Sequence, residues 1–387
     1  MNWEGDEYKL DDELVVFRKG CDELFILNHT ARFIWEKWRS GLSYDEISSL
    51  YQEQFDIPPE TANNDVLSTM GEWTARGLIG PITQSEVENG EVLASLPGLS
   101  DSDHTSSVEH YRLATVQFAI RYANSELHQT ISPLFSHLIA PAPGDPSSLF
   151  DLYTINDGYA LALDQPPIAS DREIDGIAMI LFSKVLLTVS EALNPMMTLH
   201  AGGVAKDAGS ILLPGASGSG KSTLTAALVC SGYTYLGDDA IPIKRETGEA
   251  IPLPGRFNLK EGGRAVIEER FPHINEFSEF NCRGRRVFYL RPPERQLPGS
   301  RSSYPVNCLL FPEYRTGVRT TLTHISPVEA LKRIVSTNSL LRKSSDRDHF
   351  LGVIEWIQNT PGYSLVYSSL DDATEIIGGL FADFESE

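Results

Sequence analysis

The segment Gly215-Ala-Ser-Gly-Ser-Gly220-Lys221-Ser222 constrains this chain more than any other part of it. It is a complete G-x-x-x-x-G-K-[ST] run, preceded by the apolar stretch Ile211-Leu212-Leu213 and followed by Leu224, Ala227 and Leu228 at helical spacing. A strand, a glycine-rich loop and a helix in that order predict an α/β core. The glycines let backbone N–H groups turn inward around phosphate oxygens, Lys221 can reach the outer phosphates, and Ser222 can ligate Mg²⁺ at the helix start. The expected nucleotide-binding set is therefore Gly215, Ala216, Ser217, Gly218, Ser219, Gly220, Lys221, Ser222 and Thr223, with a nucleotide and Mg²⁺ as the ligands.

A strand-like Tyr233-Thr-Tyr-Leu236 follows the loop's helix and ends in Gly237-Asp238-Asp239, where a Mg²⁺-holding carboxylate is expected. Two adjacent carboxylates exceed what one metal needs, so one can serve the metal while the other accepts a hydroxyl proton. Asp238 follows the strand directly and is assigned to the metal with Ser222; Asp239, one step further out, is assigned as the base. His200 lies in Leu199-His-Ala-Gly-Gly203, just before the strand that enters the loop; taken alone, such a histidine is more often structural than catalytic. Arg256 and Lys260, in Pro254-Gly-Arg-Phe-Asn-Leu-Lys260, could add positive charge to a phosphate site, whereas Arg283, Arg285 and Arg286 read as a solvated basic face. The chain has no N-K-x-D, no LSGGQ-like signature and no H-R-D or D-F-G, which excludes GTPases, transporter ATPases and eukaryotic-type protein kinases.

With 387 residues the chain has room for two or three domains. Its 53 acidic residues against 32 basic ones leave a net charge of −21, which repels phosphate backbones and anionic lipid, so neither nucleic acid nor membrane is an expected partner. Four scattered cysteines and an N-terminus without a basic and apolar signal point to reduced thiols in the cytoplasm. The apolar stretch Ile174 to Leu193 is interrupted by Ser183, Lys184 and Glu191, as suits a buried helix.

Residues 83–107, rich in Ser, Glu, Asp and Gly, read as a linker between a domain at 1–82 and a larger one at 108–387. In the small domain Leu14–Phe17 and Leu24–Leu27 predict a hairpin around Lys19-Gly20-Cys21-Asp22. Thr30 is placed to cap a helix through Trp38, and Ser43-x-x-Glu46 is a capping box. A third helix carries Val66, Met70 and Trp73, and Leu78-Ile79 would close a winged-helix-like α+β module. DNA binding suits it poorly, since the second helix, Ser43 to Gln54, contains no Lys or Arg. In the large domain strands are expected along the alternating run Leu113–Ile120 and near 149–155 and 159–163, with a helix over 125–138.

Two family resemblances attach to these residues. The order Leu199-His200-Ala201-Gly202, then Ser217 to Ser222, then Asp238-Asp239 resembles the HPr serine kinase/phosphorylase family. That resemblance implies an α/β P-loop, HPr kinase-like domain in which Asp238 and Asp239 serve Mg²⁺ and the acceptor hydroxyl, with His200 beside them. Thr223 stands where that family usually has Glu. The run Phe25-Ile-Leu-Asn28-His-Thr-Ala31-Arg-Phe-Ile-Trp35, with Asp65-Val66 through Gly77-Leu78-Ile79, is similar to the peptide-recognition protein PqqD, His29 replacing its usual Pro or Glu. It implies capture of a precursor peptide as an added strand.

The reading that follows is an ATP- and Mg²⁺-dependent kinase for a Ser or Thr hydroxyl of a ribosomally made precursor peptide, with Asp239, His200 and Lys221 as its catalytic residues. Two alternatives stay open: an HPr-related kinase for a small hydroxy compound or carrier protein, and an adaptor that senses nucleotide, against which the intact Lys221, Ser222 and aspartate pair argue. A homo-oligomer is compatible with either.

Overall fold

The structure, a computed structural model, describes residues 3–18, 24–80, 107–141, 146–164, 167–207, 209–272, 274, 276–282, 284–337, 340–341 and 347–386. The first elements are β1 (Gly5–Leu10), β2 (Glu13–Arg18), β3 (Leu24–Leu27), α1 (His29–Arg39), α2 (Tyr44–Phe55) and α3 (Pro59–Ala75). After Ser107 come β4 (Ser107–Leu113), β5 (Val116–Tyr122), α4 (Ser125–Ile131), β6 (Leu149–Ile155), β7 (Gly158–Leu163), β8 (Pro167–Asp171) and α5 (Ile174–Ala192). They are followed by β9 (Met197–Leu199), β10 (Ala201–Lys206), β11 (Gly209–Pro214), α6 (Lys221–Cys230), β12 (Thr234–Gly237), β13 (Ile241–Ile243), β14 (Phe257–Lys260) and α7 (Glu261–Arg270). The last are β15 (Phe277–Cys282), β16 (Arg285–Leu290), β17 (Val306–Tyr314), β18 (Thr321–Ile325), α8 (Pro327–Ser336), α9 (Arg347–Asn359), β19 (Gly362–Tyr367) and α10 (Leu370–Ser386).

Packing groups these elements into two compact units: Met1–Glu86 with Ile325–Ser336 and Leu340–Thr360, and Val87–His324 with Thr337–Ser339 and Pro361–Glu387. The expected division at 1–82 and 108–387 therefore differs from the packing, since α8 and α9 belong with the N-terminal sheet. The expected linker lies outside the described residues except at Ser107, as does the turn at Lys19 to Asp22.

In the first unit β1, β2 and β3 form an antiparallel meander with Leu10 opposite Glu13 and Leu14 opposite Leu27. Leu14, Val16, Phe25 and Leu27 point to α1–α3 and bury Trp35, Tyr51, Val66 and Trp73. Asn28, not Thr30, caps α1, its side chain accepting from the Ala31 N–H; the Ser43–Glu46 capping box forms as expected. Leu78 and Ile79 are buried but form no strand, and β1 adds a strand the sequence reading did not include, so three strands precede three helices in place of the winged-helix-like order. The other face of the sheet is buried too, at Val15 and Phe17, and α8 and α9 meet the sheet within the same unit. Phe17 stacks on Phe350 with ring centroids 5.8 Å apart, Asp11 accepts from the Val328 N–H at 3.0 Å, and Lys332 pairs with Glu13 at 2.5 Å.

In the second unit β4–β8 form one sheet in chain order, covered by the buried face of α5. The run Leu113–Ile120 is not one strand: it turns at Ala114 (φ +51°) from β4 into β5, and the helix expected over 125–138 becomes α4 followed by a 3₁₀ segment, Ser132–Leu138, with Pro133 in its first turn. A second, mixed α/β sheet has the order β12-β10-β11-β17-β19-β18, with β11, β17 and β19 parallel to one another. Among the described residues no helix is long and apolar enough to cross a membrane.

Candidate active site

The central strand β11, Gly209–Pro214, is buried along its apolar residues and delivers the chain into the Gly215–Gly220 loop, after which Lys221 opens α6. Gly220 has φ +90°, and a Cβ there would come within 2.3 Å of the Tyr367 hydroxyl, so both conformation and space require glycine. The loop is braced from two strands that the sequence reading did not connect to it. The Tyr314 N–H at the end of β17 donates to the Ser219 carbonyl at 2.9 Å, and the Tyr367 hydroxyl at the end of β19 donates to the Gly220 carbonyl at 3.2 Å. These partners lie about a hundred residues or more along the chain, and nothing local signals them.

Lys221 is buried and its Nζ donates to the Asp238 carbonyl at 2.5 Å. The same ammonium sits 3.7 Å from Asp238 Oδ1 and 3.6 Å from Asp239 Oδ1, so one cation faces both carboxylates. Asp238 is 2% exposed. Its Oδ2 accepts from the Asn258 N–H at 3.2 Å, while Oδ1 is a buried oxygen without a hydrogen-bond partner. Burial pushes this carboxyl up to about 6, opposed by Lys221, with the Asp239 charge raising it further and the Ser222 hydroxyl and Asn258 N–H pulling it down. Asp239 differs in kind, with its side chain 26% exposed.

His200 Nδ1 lies 3.0 Å from the Asp239 carbonyl oxygen. That oxygen can only accept, so Nδ1 carries the proton. Burial and the Lys221 charge hold the imidazole below its ordinary range, against the Asp239 charge, so it is neutral at pH 7. Lys260, which ends β14, extends its Nζ to 3.1 Å from Ser217 Oγ over the loop. Arg256 is not there. Its guanidinium is buried and donates to the carbonyls of Leu134 at 3.1 Å, Pro133 at 2.5 Å, and Glu276 and Tyr289 at 3.4 Å. The sequence reading that offered Arg256 to a phosphate is thereby corrected: its donors are consumed in tying the 3₁₀ segment to β16 and the residue before β15, and burial pulls its pKa down to about 10. Thr223 turns its hydroxyl onto Gly263, within 2.4 Å of where a Cβ would stand. Arg286 pairs with Glu279 at 3.0 Å and Glu261 at 3.5 Å, as a solvated face would; Arg283 lies outside the described residues.

Loop, lysine, aspartates, histidine and Lys260 thus converge at the ends of β11, β12 and β14, and Arg256 does not join them. In the other unit, β1 and β3 are the two edges of the three-stranded sheet. Residues 13–79 match the family model of coenzyme PQQ synthesis protein D (PqqD). That match covers β2, β3 and the three helices α1–α3, and leaves out β1. The HPr(Ser) kinase/phosphatase from Coxiella burnetii aligns with 49% of this chain and 95% of its own at 14% identity, with a TM-score of 0.24. No protein among the curated sequences compared with the chain matches it.

Proposed function

We propose that the chain is an ATP-dependent kinase that phosphorylates a Ser or Thr hydroxyl of a peptide recruited by its PqqD-like unit. The observation that carries this reading is the buried Lys221 ammonium, held at the head of the glycine loop and shared between two carboxylates of unlike exposure. A cation so placed neutralises charge on a transferred phosphoryl group, and the loop's N–H groups supply the rest of the cradle.

The residues suit Mg²⁺. Asp238 Oδ1 is a buried anionic oxygen without a hydrogen-bond partner, and the Ser222 hydroxyl lies beside that carboxylate. The ion would be held by one carboxylate, one hydroxyl and the nucleotide's own oxygens. Bound there, Mg²⁺ would screen the charge of the triphosphate. Asp239 is the more open carboxylate and takes the acceptor's proton as the hydroxyl oxygen bonds to the γ-phosphorus and the bond to the ADP oxygen breaks. His200, donating to the Asp239 carbonyl, positions that residue. The edge of the N-terminal sheet takes the peptide as an added strand, which raises its concentration at the site.

The test compares phosphate transfer from ATP to a precursor peptide in the parent, Lys221→Ala and Asp239→Asn. Lys221→Ala should abolish transfer and weaken ATP. Asp239→Asn should lower kcat by roughly 10²–10⁴ with ATP affinity little changed. Unchanged turnover in Lys221→Ala would end the kinase reading.

A further inference from the structure

We infer that Tyr314 is the platform on which the base of the bound nucleotide stacks. The inference rests on the nucleotide-binding reading above and goes beyond it, because the motif residues account for phosphates and metal only.

The sheet order locates the missing half of the ligand. In β12-β10-β11-β17-β19-β18 the loop follows β11, and Asp238 and Asp239 follow β12, two strands to one side. Lys221 turns toward those carboxylates, which marks that side as the reacting end of a triphosphate. The nucleoside must leave the loop in another direction. On the opposite side the immediate neighbour of β11 is β17, parallel to it, so the carboxyl ends of both strands open onto the same crevice, where ligands of such sheets bind. β17 ends at Tyr314.

Tyr314 has the properties a stacking residue needs. Its backbone N–H is anchored on the loop through Ser219, and its Cβ lies 3.1 Å from where a side chain on Gly220 would begin. Its ring is backed by Tyr367, edge to face with centroids 5.6 Å apart, so it is held from one side while the residue remains 49% exposed. Among the described residues it is the one aromatic in the set of exposed large apolar side chains, beside Leu67, Val108, Ile139 and Val266. An apolar ring left open beside a phosphate cradle costs hydration that a purine face would recover, and stacking of this kind tolerates any base.

Binding of ATP and of inorganic tripolyphosphate to the full chain, by calorimetry in the parent and in Tyr314→Ala, Tyr314→Phe and Tyr314→Trp, tests the assignment. Tyr314→Ala should weaken ATP by about 5- to 150-fold, the range of one base on one aromatic ring. It should leave tripolyphosphate unchanged, because the Ser219 contact is made by the backbone, and Phe and Trp should restore ATP. Equal ATP affinity in Tyr314→Ala overturns the inference while the kinase reading stands. So does a parallel loss of tripolyphosphate, which would mean the side chain acts through the loop, or a failure of Phe and Trp to restore ATP. A parent chain that binds neither ligand removes the nucleotide reading and this one together.

Discussion

Asp238→Asn should make the ligand-free protein more stable while removing its response to magnesium nucleotide. Asp238 carries a buried carboxyl pushed up to about 6 from 3.8, which is about two pKa units, or ~3 kcal/mol at 1.36 kcal/mol per unit. The folded state holds this proton more tightly than the unfolded chain does. Its contribution is therefore present in full below the unfolded value, declines as pH rises, and is lost above about 6. A neutral amide suffers no such loss. The variant's advantage should be partial at pH 5 and reach its plateau by pH 8, where ~3 kcal/mol sets the ceiling and corresponds to roughly 5–10 °C in the melting of a unit this size. Lys221 keeps the Asp238 carbonyl and Asp239 as partners, so the substitution strands no buried cation. The assay is urea unfolding of the full chain at pH 5 and pH 8 without ligands, repeated with ATP and Mg²⁺ at about 100 times their dissociation constant. There the parent should gain ~2.7 kcal/mol and the variant much less. A variant less stable than the parent at pH 8 would refute the reasoning, because it would mean Lys221 more than compensates the buried charge.

Two further outcomes follow from the packing. Arg256→Ala should reduce stability by several kcal/mol, since it strips buried carbonyls of their donor, yet leave the KM for ATP unaltered in whatever folds; a selective rise in KM would return Arg256 to the phosphate site. Phe350→Ala should cost about 3–5 kcal/mol in the N-terminal unit, although it lies far along the chain from the PqqD-like segment. Chemical unfolding followed by Trp fluorescence reports it, as Trp35 and Trp73 are buried in that unit, and an unmoved transition would show that α9 does not stabilise the sheet.

Most of the candidate site is legible in the sequence because its parts are short and local. Gly215–Ser222 needs only a strand before it and a helix after it, and Asp238-Asp239 needs only the next strand. Backbone geometry over a few residues then determines where their donors and carboxylates point. The capping box at Ser43 and the length of α5 were readable for the same reason. Even the two-sided burial of β2 has a trace there, since Leu14-Val15-Val16-Phe17 is apolar without alternation, as a strand covered on both faces should be. What covers it could not be read. α8 and α9 reach that sheet from more than 300 residues away, and their amphipathic pattern specifies a face to bury without naming the surface it will meet. Long-range choices of the same sort decided the rest. Arg256 and Lys260 are four residues apart in one segment, yet the first is drawn into a shell of carbonyls and the second extends over the loop. Tyr314 and Tyr367 become its braces only because two distant strands align beside β11. Local chemistry specified the reactive groups; which side chains surround them was settled by which strands lie side by side in the sheet.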